Sequence, residues 1–252
     1  MRKSDGIICL TNAAKKIIEG WTYYNPSTPL KVIPCSADLQ LFDPAAVDKT
    51  LKADFASRLS IKDDDFIISY LGSIGGWYLT TEMMRFCKLL IERMPNARFL
   101  FISPHRHEEI IASAREQGIP KTKIIIVKAK RKDVPILLSF SKYSIFFIKP
   151  CFSKLSSSPT KHGELLAMGI PVITNGGVGD MREITTNYKA GFIIDDFTDE
   201  SYNNVITQIA SGAEFDKMQM RSVASEVYAL ENAVSAYIEM YSKILGVKYP
   251  PV

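Results

Sequence analysis

The feature that most constrains this chain is an alternation of short, nearly continuous apolar runs with stretches long enough to be helices. The runs are 66–71 (FIISYL), 98–102 (RFLFI), 123–127 (KIIIV), 144–148 (SIFFI), 170–174 (IPVIT) and 192–194 (FII). A strand with one wet face alternates apolar and polar residues, whereas a strand covered on both faces does not need to. Residues 80–94, 106–117, 133–141, 159–168 and 180–187 lie between the runs as helix-length segments. Strand–helix alternation of this kind implies right-handed crossovers and an α/β fold with a doubly wound, parallel, six-stranded sheet. Helices are also expected at 199–211, 214–226 and 228–245. In the last of these, Leu230, Val234, Tyr237, Ile238, Tyr241 and Ile244 form an apolar stripe at spacings of three and four.

The opening of the chain reads differently. A short strand at 6–10 precedes a helix at 12–19 capped by Thr11 or Asn12. An extended piece at 30–34 leads through prolines at 26, 29, 34 and 44 into a linker, and a helix follows at 47–59. A chain of 252 residues, 46% of them hydrophobic, can bury one domain with a small appendage. The net charge of +4 is mild. It suits phosphate-bearing ligands and peripheral contact with an anionic membrane, and carries no nucleic-acid footprint. The basic stretch 121–132 (KTKIIIVKAKRK) reads as a solvated strand end with its loop. Cys9, Cys35, Cys87 and Cys151 have no metal-ligand spacing; Cys9, Cys87 and Cys151 sit in apolar stretches as buried thiols would, which fits a reducing cytoplasm. Met1-Arg2-Lys3 looks like a signal-peptide start, but the apolar run after it, 7–10, is too short, and no run reaches membrane-span length. A soluble, cytoplasmic protein is expected.

In a doubly wound sheet, ligands sit outside the carboxyl ends of the strands where strand order reverses, here between the first and fourth of the six. The loops that meet there follow Leu71, Ile148 and Thr174. The first contains Gly72, Ser73, Gly75 and Gly76, which let backbone approach a phosphate without a Cβ in the way. Its spacing is not a dinucleotide fingerprint. The second runs through Ser158-Pro159, a cap followed by proline at the first helical position, to Lys161 and Glu164 on one face of a helix start. A cation beside free helix amides suits a diphosphate, and a carboxylate one turn deeper can accept ribose hydroxyls. The plainer alternative is that Lys161 and Glu164 pair with each other on a solvated helix. The third loop carries Gly176, Gly177, Val178 and Gly179 before a helix, a second backbone cradle. Two glycine loops and a Lys/Glu helix start at one sheet edge point to a crevice for phosphate and sugar.

Residues 164–173 (ELLAMGIPVI) followed by Gly176-Gly177 resemble the C-terminal domain of the retaining glycosyltransferase family 4. The preceding Ser158-Pro159-Thr160-Lys161-His162-Gly163 is similar to a subset associated with surface polysaccharide assembly, and 31–38 (KVIPCSAD), with Phe42 and Pro44, to the family's interdomain linker. The resemblance implies a two-domain GT-B fold. In it, 1–44 would be the tail of the N-terminal domain and the linker, and 45–252 the Rossmann-like nucleotide-sugar-binding domain with its C-terminal helices. It implies a hexosyltransferase-like enzyme that moves sugar from a nucleoside-diphosphate sugar to a glycan or lipid-linked acceptor, with retention and with neither metal nor other cofactor. Glu164 would hold the donor ribose, and Gly176, Gly177 and Val178 would lie near sugar and diphosphate. No residue is assigned as catalytic.

Three departures accompany the resemblance. Ser156 stands where the family's first glutamate is expected. Residues 72–78 offer no arginine or lysine to a diphosphate, and Lys161 is expected to compensate. The part of the N-terminal domain that would bind acceptor is not represented, so the chain is expected to be a fragment that binds donor better than it transfers sugar. Two other readings stay open: a GT-B nucleotide-sugar epimerase, for which His162 is the one suggestive acid–base group, and a non-catalytic nucleotide-sugar-binding module. Asp63-Asp64-Asp65 reads as a turn, and His105 and His107 lack a third metal ligand.

Overall fold

A computed structural model of the chain describes residues 3–247; Met1 and Arg2, and the last five residues of the expected 45–252 domain, lie outside these. The six apolar runs become β3 (Phe66–Leu71), β4 (Ala97–Ile102), β5 (Ile124–Val127), β6 (Tyr143–Ile145), β7 (Val172–Asn175) and β8 (Gly191–Ile194). They form one parallel sheet in the order β5-β4-β3-β6-β7-β8. The chain moves outward from β3 to β5, then crosses to the other side of β3 as β6. The crevice between β3 and β6 is therefore where the apolar pattern places it.

Successive residues Ile67, Ile68, Ser69 and Tyr70 of β3 are all buried, which is what a strand with helices on both faces requires. On one face α3 (Thr80–Arg93) packs against α4 (His107–Glu116) and α8 (Asp199–Ala210). Helix α6 (Thr160–Ala167) packs against α9 (Lys217–Tyr228), and α2 (Lys49–Arg58) against α5 (Val134–Leu138). Helix α7 (Met181–Asn187) joins β7 to β8.

Several boundaries differ from expectation for identifiable reasons. The ladder of β6 ends soon after Ile145: Phe146 N–H still donates to Ile173 O, but the Asn175 side chain then holds both backbone groups of Ile148. Leu79 N–H donates to Phe147 O at 3.0 Å, and Lys149 N–H to Trp77 O at 2.8 Å. The helix expected at 133–141 divides into a 3-10 turn, Arg131–Asp133, and the five-residue α5. The helix expected from 214 begins at Lys217, because the Asp216 carboxylate accepts from Met218 and Gln219 N–H.

Before the main sheet, β1 (Ile7–Cys9) and β2 (Leu30–Val32) pair in parallel around α1 (Asn12–Glu19). Thr11 is the cap of α1, accepting from Ala14 N–H at 3.0 Å. Cys9, Ala14 and Ile18 form a small separate core with Trp21, Tyr24 and Leu30. The final helix, α10 (Leu230–Leu245), returns beside this unit, and Lys31 Nζ lies 2.9 Å from Glu239 Oε2. Its apolar stripe forms but is only partly covered: Leu230, Tyr237 and Tyr241 are exposed, and Val234, Ile238 and Ile244 are half-buried. Cys9 and Cys87 are buried thiols as expected, whereas Cys151, just past β6, is only half-buried. Among the described residues no helix is long and apolar enough to cross a membrane.

Candidate functional site

Strand β6 delivers the chain to the carboxyl edge of the sheet, where a 3-10 turn, Phe152–Ser156, leads toward α6. Ser158 does not cap that helix as expected. Its hydroxyl accepts from Cys35 N–H in the linker at 3.2 Å, Pro159 becomes the cap residue, and no side chain bonds the first amides of α6. Unclaimed amides at a helix start favour an anion.

The two faces of α6 then diverge. His162 points into the core: Nδ1 is 3.0 Å from the Tyr228 hydroxyl, and Nε2 is 3.4 Å from Thr185 Oγ1. Burial lowers its pKa to about 4, so the ring is neutral. It cannot face a bound sugar, which removes the residue that favoured an epimerase. Gly163 lies against the same tyrosine, and a Cβ there would sit 2.7 Å from its ring.

Lys161 leaves on the other side, toward the end of β3. Its Nζ lies 4.5, 4.0 and 5.5 Å from the ring centres of Tyr70, Tyr78 and Phe146. The nitrogen is buried without a hydrogen-bond partner. Burial lowers its pKa to about 7, although the nearby Glu164 charge acts the other way. A Cβ on Gly72 would lie 3.0 Å from this nitrogen, and Gly72 holds φ at +114°. The positive φ favours glycine there, and any side chain would also crowd the amine. Lys161 and the first glycine loop therefore meet as expected.

Glu164 does not pair with Lys161. It is 4% exposed, and its Oε1 lies 2.6 Å from Nη1 of Arg131, in the 3-10 turn before α5. The Arg131 guanidinium in turn lies 4.7 Å from the Phe42 ring centre of the linker. Arg131 stands in the stretch read as merely solvated; it is exposed, yet it supplies the counter-charge for the buried acid.

The glycine loops are less uniform than their sequences. Ser73 is exposed, and its carbonyl accepts from the Tyr70 hydroxyl at 2.5 Å. A Cβ on Gly76 would meet nothing within 4 Å, whereas one on Gly75 would strike the Arg106 guanidinium. In the third loop Gly177 is exposed, and Gly176 lies under the Arg182 guanidinium, which pairs with Asp195. Val178 is 1% exposed and belongs to the core, so its side chain is not presented to an open cleft. Gly179 is packed against the carbonyl of Ser157 at φ +46°, a structural glycine rather than part of an open cradle. The next residue, Asp180, caps α1: its carboxylate accepts from Asn12 N–H at 2.6 Å and Ala13 N–H at 2.9 Å. No periodicity marks Asp180, Arg131, Arg106 or Arg182 for these contacts. Tyr70 and Tyr78, flanking the first glycine loop, carried the one local signal of an aromatic surround.

Ser156 bonds the Ser153 carbonyl at 2.8 Å. Asp65 pairs with Arg98 at 2.6 Å, consistent with a turn, and His107 Nε2 lies 2.8 Å from Ser103 O. Among the described residues no three His, Cys, Asp or Glu side chains are grouped to hold a metal ion.

A buried amine against a glycine backbone, and a buried carboxylate one turn away, are groups suited to phosphate and to vicinal hydroxyls respectively. Comparison with solved structures agrees in fold. A glycosyltransferase from Rickettsia africae superposes with a TM-score of 0.77 at 18% identity, covering 96% of this chain and 64% of that one. Anabaena HepE, solved with UDP and glucose, gives 0.72 at 12% identity over 95% and 63%. S. aureus TarM gives 0.68 at 13% over 95% and 44%. The chain thus spans less than two thirds of the length of each. A search of curated proteins returned no match. The sequence model for glycosyl transferases group 1 matches residues 52–224. Its span takes in β3 through most of α9, including both glycine loops and all of α6, and the chain belongs to the group 1 glycosyltransferase family.

Proposed function

We propose that this chain holds the nucleoside-diphosphate sugar in a glycosyltransferase that passes the sugar to a glycan or lipid-linked acceptor. The observation that carries the reading is Lys161: a buried amine with no hydrogen-bond partner, held among aromatic rings and against Gly72 at the reversal point of the sheet. The ring faces attract the ammonium but leave its N–H groups without acceptors, and a diphosphate is the counter-ion that would supply them. The amine is covered by Tyr70, fixed in β3, and by Tyr78 at the end of the first glycine loop, so a donor would reach it from the Tyr78 side. Glu164 then takes the ribose hydroxyls while Arg131 keeps its charge compensated.

Leaving-group charge would be met by Lys161 and the first amides of α6 rather than by a metal ion, and retention follows from the resemblance to family 4. The binding-module alternative draws its support from Ser156, which is turned onto its own 3-10 turn. HepE's complex with UDP and glucose makes UDP-glucose the first donor to test. Calorimetric titration of UDP-glucose should show affinity falling about 10-fold in Lys161→Met, the size of one charge-assisted hydrogen bond. Unchanged affinity in a folded variant would remove the basis of the proposal.

A further inference from the structure

The crevice just described lies at the carboxyl ends of the strands. At their amino ends, beside Phe66 of β3, Tyr143 of β6 and Pro171 before β7, a cleft of about 850 Å³ opens. Lys49, Lys52, Lys142 and Lys217 line it, over a floor that includes Phe140 and Phe215. Arg221 also reaches the cleft, but its guanidinium is committed to the carbonyls of Phe42 and Ala167, at 2.9 and 2.8 Å, and to Asp43 at 3.3 Å. Glu214 is the one acidic residue in the lining. Asp48 and Asp216, close in sequence, spend their carboxylates on the amides of α2 and α9.

Two observations set this cluster apart from ordinary surface charge. Lys52 lies 5.0 Å over the Phe140 ring and donates one hydrogen bond to the Ser139 carbonyl at 3.0 Å, with its other N–H groups left for a ligand. Its pKa is lowered, first by burial and then by Lys142 and Lys217. Three ammonium groups are thus close enough to repel. Furthermore, Lys49 and Lys217 begin α2 and α9 beside the same cleft, and the neighbouring Asp48 and Asp216 carboxylates are engaged by the amides of those helices. Four lysines thus line one cleft against a single lining acid, Glu214. An anion seated among these lysines would relieve their mutual repulsion.

We propose that this cleft binds a phosphate ester bearing an apolar group, with the phosphate among Lys49, Lys52, Lys142 and Lys217 and the apolar part on Phe140 and Phe215. Met218, 77% exposed at the rim, extends the apolar surface outward. Such an ester is either the headgroup region of an anionic lipid or a soluble molecule. The site is independent of the nucleotide reading, since it shares no residue with the Lys161 crevice.

The test uses two probes: vesicles of phosphatidylcholine with and without phosphatidylglycerol, in a sedimentation assay, and hexyl phosphate, in thermal unfolding. The combined variant Lys49→Ala, Lys142→Ala and Lys217→Ala is compared with a charge-matched control, Lys62→Ala, Lys88→Ala and Lys121→Ala, on exposed lysines elsewhere. A lipid ligand predicts binding to phosphatidylglycerol vesicles alone, weakened on the order of 100-fold in the cleft variant and far less in the control. A soluble ligand predicts a hexyl phosphate rise in midpoint, lost in the cleft variant, without vesicle binding. If the wild-type chain responds to neither probe, or if the control loses as much as the cleft variant, the proposal is overturned.

Discussion

Lys161 and His162 are neighbours in α6, both buried, and they solve burial in opposite ways. His162 is neutral and bonded to Tyr228 and Thr185, and Gly163 beside it leaves room for that tyrosine. On this face the fold satisfies itself. Lys161 has rings around it and no hydrogen-bond partner, and Glu164 depends on an arginine that is itself exposed. On that face the fold leaves polar groups unfinished. Burial alone therefore does not separate a structural polar group from a ligand-binding one; the completeness of its hydrogen bonding does.

The contrast can be broken in four places. The largest effect belongs to His162. Its folded pKa of about 4 lies below the ordinary 6.5, so the unfolded chain binds more protons between those values and stability rises with pH across that window. Acidification from pH 6.5 to 4 should remove about 3 kcal/mol through this residue alone. Urea unfolding at both pH values should show the acid loss shrinking in His162→Gln. An equal loss in the variant would mean that the inward face is not closed as described.

Next is Glu164→Ala, which should weaken UDP-glucose binding about 100-fold through two lost bonds to a charged acceptor. Its thermal midpoint should move little, because Arg131 is exposed and stays solvated when released. A large fall in midpoint with unchanged affinity would make Glu164 structural. Gly163→Ala should do the reverse, costing about 2 kcal/mol from overpacking against Tyr228. Affinity per folded molecule should be preserved, as calorimetry on the folded fraction would show.

The smallest effect on stability is expected from Lys161→Met. Removing a buried amine without a hydrogen-bond acceptor relieves a desolvation cost that offsets its lost ring contacts, so the midpoint at pH 7 should change little. Because the folded pKa of about 7 lies below the ordinary lysine value, wild-type stability should increase as pH rises from 7 toward 10. Thermal scans of Lys161→Met should lack that increment; if they keep it, the amine is not the titrating group.

Much of the fold was legible because burial on both faces writes itself into consecutive residues: runs such as FIISYL and RFLFI became β3 and β4 nearly residue for residue. The usual strand order of a six-stranded doubly wound sheet, which the structure adopts, then located the crevice beside Gly72 and Lys161. The contacts that define the site's electrostatics were not legible. Arg131 reaches Glu164, and Asp180 reaches the start of α1, across crossovers that no local pattern encodes. Likewise, Gly76 and Gly179 are equivalent as letters, yet one faces open space and the other a carbonyl.

The sequence by itself determined the sheet, its winding and the helix that carries Lys161 and Glu164, since these depend on periodic burial that each segment expresses locally. Only the tertiary structure decided which polar groups are already partnered, because an ion pair or a close approach depends on where separate segments come to rest.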